Sequence, residues 1–434
     1  MLKAFVQAFR TPDLRNKLLF TLFIIFLFRL GSFIPTPGVN YTAVNACVNA
    51  TQSGDLLSLI NLFSGGALLQ LSIFALGIMP YITSSIIVQM LRVVIPHFET
   101  LYKEGASGQT KMTQYTRYLT VGLAILQSST ILAMARTGQL FGNSEGACGE
   151  VIPDESILTL VMMVIVMTAG TSMIMWMGEL LTEHGVGNGM SILIFSSICA
   201  QFLPSLWSIA QGSGGIFSFF VVVAVVIMVV AVVVFIEQAQ RRVPVQYPKR
   251  TIGRRSFGGN TTYLPLKINM SGVIPIIFAS SILSIPGLIA KFNDPNAGWV
   301  QWISANLLNQ TSWIYITAYE ILIICFCFFY VSITFNPDDT ADNIKSYGGF
   351  IPGIRAGQRT ADYLRYIIHR INTVGSLYLA TIALAPTLMV IMLGLGNNLP
   401  FGGTTILIIV GVGLETVRQI NTQLQQHHFE GFMS

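Results

Sequence analysis

Charged side chains are scarce in this chain of 434 residues: Asp, Glu, Lys and Arg together make up 10% of it, against 53% for apolar residues. A typical soluble domain carries about 25% charged residues. So few charges cannot cover a surface that faces water, so the composition excludes a water-soluble globular protein. We therefore expect a polytopic membrane protein whose surface faces mainly lipid or other buried helices.

Sequence signatures of catalysis, nucleotide binding and metal binding are also missing. The chain has no Gly-Lys dipeptide, no H-E-x-x-H, and no C-x-x-C pair among its five cysteines. The stretch Gly185-Val186-Gly187-Asn188-Gly189 could be mistaken for a nucleotide loop, but no strand precedes it, and we interpret it as a tight cytoplasmic turn. We therefore predict that the chain is not an enzyme and needs no cofactor or metal ion.

Long apolar runs are what the sequence does contain. A helix that crosses a bilayer needs about 20 mostly apolar residues, and ten segments approach that length. They are 18–33, 68–94, 118–135, 157–177, 190–207, 216–236, 273–290, 314–335, 374–395 and 404–417. The runs are continuous rather than alternating, which excludes a membrane β-barrel. We therefore predict an all-α fold with ten spans, numbered one to ten along the chain.

The basic residues indicate how the spans are oriented, because Lys and Arg concentrate in cytoplasmic loops. With the N-terminus in the cytoplasm, 21 of the 24 Lys and Arg residues fall on the cytoplasmic side, and only Arg136 and Lys291 fall outside. This split predicts an inner-membrane protein with both termini in the cytoplasm. The long cytoplasmic loops 237–272 and 336–372 follow spans six and eight, and the first holds seven basic residues and no acid between Arg241 and Lys267.

The number of spans predicts two halves of five helices each, at residues 1–210 and 211–434. An odd number of spans in each half means that the two halves have inverted topology. Clear self-similarity between the halves is absent, so this symmetry follows from the count alone.

Three features leave alternatives open. The apolar but interrupted segment Asp55 to Leu71 fits either a half-helix that dips back into the protein, with Gly65-Gly66 as its hinge, or an amphipathic helix on the outer surface. The basic loop 241–267 either enforces topology and touches anionic lipid, or binds an acidic partner or RNA. Cys47 and Cys148 both fall in outside loops, either as a disulfide or as two free thiols.

Charges inside the predicted spans are rare. Arg29 and Glu320 lie near the outer ends of spans one and eight, where each side chain can snorkel to the interface. Ion-coupled transporters usually place acids or histidines deep in the bundle. The predicted spans hold almost none, which counts against a secondary transporter. An intramembrane enzyme lacks its catalytic residues, and a purely structural scaffold does not explain the Gly-rich mobile regions.

Six sequence blocks resemble the bacterial members of the SecY family, in the family's order and across essentially the whole chain. They begin at Arg29 (RLGSFIPTPG), Asn61 (NLFSGGALLQLSIFALGIMPYI), Gly105 (GASGQTKMTQYTRY), Gly178 (GELLTEHGVGNGMS), Leu264 (LPLKINMSGVIPIIFASS) and Phe335 (FNPDDTADNIKSYGGFIPGIRAGQ). The resemblance implies the central subunit of a channel that conducts unfolded secretory polypeptides and releases membrane segments sideways into lipid.

The resemblance also implies which residues form the pore. An apolar ring at the waist is expected from Ile78, Ile82, Met190, Ile194, Ile277 and Ile408. Met190 departs from the family's usual isoleucine, which implies a softer or differently shaped ring. A plug is expected at about 61–71, with Asn61, Leu62, Phe63, Ser64, Gly65, Gly66 and Ala67 among its residues. A lateral gate is expected between spans two and three and spans seven and eight, with polar residues at Thr83, Gln127 and Asn269; Thr83 has the alternative of bonding to its own helix.

Partners follow from the same resemblance. The two basic loops match a docking surface for the SecA ATPase and the ribosome, formed by Arg241, Arg242, Lys249, Arg250, Arg254, Arg255, Arg355 and Arg359. The expected partners also include SecE, SecG, precursor polypeptides and membrane lipids, and they extend to SecDF and YidC. In such a system SecA, and not this chain, hydrolyses ATP.

Overall fold

The structure is a computed structural model, and it describes most of the chain. The described residues are 11–50, 64–136, 151–154, 156–211, 215–247, 250–252, 255–257, 261–291, 297–308, 312–393 and 403–430. Several residues singled out in the sequence therefore lie outside the described residues: Asn61, Leu62, Phe63, Cys148, Lys249 and Arg254.

Helices dominate the described chain. In order they are α1 Pro12–Phe33, α2 Tyr41–Ala50, α3 Met79–Val94, α4 Pro96–Lys103, α5 Ala106–Arg136, α6 Ile157–His184, α7 Gly189–Gln211, α8 Gly215–Gln238, α9 Ile274–Lys291, α10 Gly298–Ile303, α11 Trp313–Thr334, α12 Pro337–Ser346, α13 Gln358–Leu393 and α14 Gly403–Glu430. A π-helical turn, Ser304–Leu308, follows α10. The ten predicted spans fall on α1, α3, α5, α6, α7, α8, α9, α11, α13 and α14.

Length and composition allow six of the described helices, α1, α5, α6, α8, α11 and α13, to cross a membrane. Helices α3 and α4 satisfy the same test as a pair bent by 96°. Shorter apolar stretches, Gly189–Phe202 and Ile274–Leu283, lie within α7 and α9. The predicted all-α membrane fold is confirmed, with one difference in span two: its helix begins only at Met79 rather than at residue 68.

A β-structure that the sequence analysis did not anticipate fills the first long loop. Strand β1, Gln240–Gln246, pairs antiparallel with β4, Thr261–Lys267. Strand β2, Arg250–Ile252, pairs with β3, Arg255–Phe257, in the same manner. The side chains of a strand alternate between its two faces, and β1 follows this rule, with Val243 and Val245 buried and Arg242 and Pro244 exposed.

The two long loops pack together into one folded element, here named the loop platform: strands β1 and β4, residues 347–357 and the first turns of α13. Val243, Val245 and Leu266 share a buried cluster with Ile351 and Leu364. Gln246 and Phe350 exchange two backbone hydrogen bonds, both 2.9 Å long. The second loop therefore extends the edge of the hairpin formed by the first.

The chain divides into two compact units. The first contains Met1–Val221, Leu393–Phe401 and Val412–Ser434, and the second contains Val222–Met392 and Gly402–Gly411. Helix α14 thus contributes to both units. The predicted halves, 1–210 and 211–434, and their inverted relationship stay predictions.

The glycine stretch 185–189 is a tight turn in the first unit, as predicted. Gly187 has a φ of +91°, which favours glycine. A Cβ at Gly189 would lie 2.0 Å from the carbonyl oxygen of Gly178, so α6 and α7 approach each other too closely for any side chain there. Val186, between these glycines, is buried with Leu14 of α1 and Ile420 of α14.

The packing of the loop platform can be tested by substitution of a buried residue. Val243→Ser should destabilise the platform by about 2 kcal/mol, because it removes a fully buried valine side chain. Limited proteolysis of the purified protein should then cut within the hairpin faster than in the parent chain. Arg242→Ser, one residue away and exposed, is the control, and equal cleavage of the two variants would contradict the packing described here.

Candidate functional site

Residues 64–78 form a series of turns inside the first unit. Ser64, Ala67, Leu68 and Leu71 are almost completely buried, and so is Ser72. An amphipathic helix on the outer surface would expose one face, so the described part of the segment favours re-entry into the protein. Its irregular backbone is compatible with membrane depth because protein surrounds it.

Two glycines allow this segment to lie directly on its neighbours. Gly65 and Gly66 have φ values of +68° and +91°, in the left-handed region that glycine adopts without strain. A Cβ at Gly65 would lie 3.3 Å from the Cα of Ser197, and a Cβ at Gly66 would lie 2.3 Å from Nε2 of Gln201. Both neighbours belong to α7, so the hinge glycines are also contact residues against that helix.

Backbone hydrogen bonds tie the other end of the segment to the chain that follows α1. The amide of Thr36 donates to the carbonyl oxygen of Leu71 at 3.0 Å, and the Thr36 hydroxyl donates to the same oxygen. The amide of Ile73 donates to the carbonyl oxygen of Ile34 at 3.0 Å. Leu71 has a φ of +45°, which costs a non-glycine residue roughly 1–2 kcal/mol. These bonds hold Leu71 in a conformation that it would not adopt alone.

Arg29 corrects one interpretation from the sequence. It does not simply snorkel to the interface, because its Nη1 donates a 3.0 Å hydrogen bond to the carbonyl oxygen of Gly65. Its guanidinium also lies over the ring of Phe33, 5.4 Å from the ring centre. The charge therefore holds the hinge of the re-entrant segment. Sequence reasoning missed this contact because 36 residues separate the two partners.

The six predicted ring residues are distributed over both units. Ile78 immediately precedes α3, and Ile82 lies one turn later, with its amide bonded to the carbonyl oxygen of Ile78 at 3.1 Å. Met190 and Ile194 occupy one face of α7 and are buried. In the second unit Ile277 lies on α9 and Ile408 on α14, and both are buried. Their assembly into one ring stays a prediction.

Met190, the unusual member of that set, packs against α6. A Cβ at Gly178 would lie 2.3 Å from the Met190 sulfur. The thioether therefore occupies the space that the missing side chain leaves open. A β-branched isoleucine lacks the unbranched reach that methionine uses to fill such a gap.

The predicted gate residues are all engaged or half-buried within their own units. The Thr83 hydroxyl donates to the carbonyl oxygen of Met79 at 2.5 Å, which is the helix-internal alternative left open in the sequence analysis. Gln127 is half-buried on α5. Asn269 Nδ2 donates to Glu237 Oε1 at 2.6 Å and to the Gly272 carbonyl oxygen at 3.2 Å. Their joint action as a gate stays a prediction.

The predicted docking residues that the structure describes lie on the loop platform and on strands β2 and β3. Arg241 and Arg242 are exposed on β1, and Arg355 and Arg359 are exposed in the second loop and at the start of α13. Arg250 and Arg255 belong to β2 and β3. Gly353 and Gly357, with φ values of +82° and +102°, bracket Arg355, so the arginine stands on a tight loop. The loop platform therefore exposes four separated basic residues, Arg241, Arg242, Arg355 and Arg359.

These features define a class: a multi-pass helical membrane protein with a buried re-entrant segment and a basic loop platform. Solved protein-conducting channels have the same fold. One, described with the words "the plug domain of the SecY protein stabilizes the closed state of the translocation channel and maintains a membrane seal", covers 94% of this chain and 92% of its own at a TM-score of 0.62 and 18% identity. Sec61 in the canine ribosome–channel complex covers the same shares at a TM-score of 0.58 and 16% identity.

Sequence comparison identifies the family. The profile of the SecY family matches residues 72–417. A "Protein translocase subunit SecY" of Streptomyces scabiei is 60% identical over 437 residues, covering 100% of both chains. The chain belongs to the SecY family. It is a multi-pass protein of the bacterial plasma membrane.

The Arg29 contact generates a prediction about channel closure. Arg29→Gln should free the hinge at Gly65 and raise ion conductance through the closed channel. Loss of a hydrogen bond from a charged donor, about 1.5–3 kcal/mol, corresponds to at least a tenfold shift in the closing equilibrium. Conductance would be measured in planar bilayers. Arg15→Gln, an exposed position on the same helix, is the control, and deletion of residues 61–71 sets the upper limit. Equal conductance of the two point variants would contradict the assigned role.

Proposed function

We propose that the chain is the central subunit of the protein-conducting channel through which unfolded secretory proteins cross the plasma membrane, and that it releases membrane segments sideways into lipid. The observation that carries this proposal is the buried re-entrant segment 64–78, pinned by Arg29 and Thr36, in a chain that belongs to a family of protein translocase subunits. A segment held by few, breakable contacts suits a reversible plug.

The proposed pore closes with apolar side chains rather than with charges. A narrow apolar constriction dewets and blocks ions, while it offers a passing chain no hydrogen bonds to hold it. The proposed ring consists of Ile78, Ile82, Met190 and Ile194 from the first unit and Ile277 and Ile408 from the second. The unbranched Met190 makes this ring more deformable than one built from isoleucine alone.

The proposed gate uses polar residues on spans two and three and in the turn that precedes span seven. Hydrogen bonds between helices in a membrane contribute roughly 0.6 kcal/mol each. The apolar contacts of a hydrophobic signal sequence can compensate for the loss of bonds this weak. Thr83, Gln127 and Asn269 are the proposed members. Thr83 and Asn269 have other partners in this structure, so gate bonds would require both side chains to exchange those partners.

The loop platform is the proposed docking surface for the motor and the ribosome. We place it in the cytoplasm, with both termini, because the basic residues concentrate there. Sec61, which shares the fold, is described in a ribosome complex, and an exposed basic element suits both an acidic protein surface and RNA phosphates. SecA would supply ATP hydrolysis, and SecE, SecG, SecDF and YidC would assemble in the membrane around the channel.

Arg355→Glu should cripple SecA-driven transport and leave the channel folded. The side chain is exposed on a glycine-bracketed loop, so reversal of its charge should act on the partner and not on the core. We expect transport to slow about tenfold or more, as for a charge reversal at a protein interface. Lys111→Glu, which is exposed on α5 in the first unit, makes the same change in net charge and is the control. Normal transport at normal protein levels would refute this role for Arg355.

Reconstitution tests the function itself. The purified chain, combined with SecE, SecG and SecA in liposomes, should protect an unfolded secretory precursor from protease only when ATP is present. Protection that requires both ATP and this chain supports the channel. Absence of protection, with the chain folded and bound to SecE, would overturn the proposal and favour a small-solute transporter instead.

A further inference from the structure

Five polar residues meet in the second unit where α8, α9, α11 and α13 converge. Asn269 and Ser271 belong to the turn 268–272 between β4 and α9, and both are buried. Cys327 of α11 is 1% exposed and Asn372 of α13 is 3% exposed. Glu237 lies at the end of α8. Buried polar groups are costly unless they are hydrogen-bonded, so their mutual contacts determine how this turn is held.

The amide of Asn269 is the centre of these contacts. Its Nδ2 donates to Glu237 Oε1 at 2.6 Å and to the carbonyl oxygen of Gly272 at 3.2 Å, and its Oδ1 accepts from the Ser271 hydroxyl at 3.2 Å. Both donors and one acceptor position of the amide are therefore filled. Gly272, with a φ of +62°, provides the backbone conformation that brings its carbonyl back to the same amide.

Cys327 of α11 extends these contacts to Asn372 of α13. Its Sγ lies 3.2 Å from both the Ser271 oxygen and Oδ1 of Asn372. A hydroxyl and a thiol carry one proton each, so two protons serve three contacts: Asn269 to Ser271, Ser271 to Cys327, and Cys327 to Asn372. The Cys327 thiol donates to Asn372 Oδ1. The Ser271 hydroxyl can therefore donate its one proton either to Asn269 Oδ1 or to Cys327 Sγ. The chain of contacts can thus release Asn269 without leaving Ser271 unbonded.

A separate packing contact clamps the same turn. A Cβ at Gly375 of α13 would lie 2.6 Å from the carbonyl oxygen of Ile268. Backbone therefore meets backbone at this point, and α13 prevents the turn from moving toward it. The clamp depends on the absence of a side chain and is independent of the polar contacts.

The turn also joins two elements with proposed roles. On one side, the amide of Ile268 donates to the carbonyl oxygen of Ala239 at 3.2 Å and so continues the β1–β4 ladder of the loop platform. On the other side, α9 begins at Ile274 and carries Ile277. A displacement of the hairpin would therefore reach the seventh span through five residues.

We propose that the turn 268–272 is a latch: the polar contacts from Glu237 to Asn372 and the Gly375 clamp hold the start of the seventh span, and their release lowers the threshold for opening the channel. This rests on the proposed function. Glu237, Ser271, Cys327, Asn372 and Gly375 are positioning residues that act through Asn269 and α9. A partner on the hairpin would act on the latch through β4.

The first test measures the latch without transport. In a chain whose other four cysteines are replaced by serine, the buried Cys327 should react slowly with a maleimide. Ser271→Ala should raise its reaction rate about threefold, the factor for one interhelical hydrogen bond, and Gly375→Ala should raise it further. The controls are Ser280→Ala, which removes a hydroxyl bonded only within α9 at 2.9 Å, and Gly122→Ala, where a Cβ meets open space.

The second test measures gating by transport of a precursor whose signal sequence is defective. Ser271→Ala and Gly375→Ala should raise its transport about threefold or more above the parent, and the two controls should not. Cys327→Ala should act as Ser271→Ala does, because it removes the contacts with Ser271 and Asn372. Cys327→Ser keeps a donor and an acceptor there and should transport as the parent does. A purely structural effect would reduce protein levels and normal transport instead.

Each outcome is decisive. Unchanged maleimide reactivity in both Ser271→Ala and Gly375→Ala, with normal protein levels, would overturn the latch. Raised reactivity with unchanged transport of the defective precursor would overturn its role in gating. Failure of the parent chain to transport any precursor would count against the proposed function, whereas the maleimide result would still decide whether the turn is latched.

Discussion

Irregular backbone at membrane depth must have its polar groups satisfied by protein, and the first unit depends on how that requirement is met. Turns at 64–78 take the place that a continuous helix would occupy. Thr36 and Ile34 supply backbone partners, Arg29 supplies a charged donor, and the glycines let α7 come close. In the proposed channel, each of these contacts would have to be exchanged for another before the segment could leave its place.

The helices could be predicted because a continuous apolar run leaves few alternatives in a bilayer. The start of the second span could not be predicted, since LLQLSIFALG is apolar whether it forms turns or helix. The hairpin was missed for a related reason. Val243, Val245 and Leu266 are its buried residues, with Leu264 packed against them, whereas the exposed positions include the apolar Pro244 and Tyr263. The strands therefore show the alternation of apolar and polar residues over only a few positions.

The candidate site was accessible to sequence reasoning only in part. The glycine hinge and the basic loops could be inferred from composition, whereas the apolar ring came from family resemblance alone. An isoleucine that faces a pore and one that faces a core have the same chemistry, so no pattern distinguishes them. Contacts such as Arg29 with Gly65 or Cys327 with Asn372 join residues that are distant in sequence, and only the folded chain brings them together.

The reciprocal bonds between Gln246 and Phe350 have a consequence for how this architecture changes over time. Two loops that share a strand edge cannot vary independently, because a shift in register in one leaves backbone groups of the other without partners. Exchanging one loop alone between relatives would disturb the backbone hydrogen bonds between Gln246 and Phe350, whereas exchanging both loops together would preserve them. We therefore expect the two loops to change together, although about a hundred residues separate them.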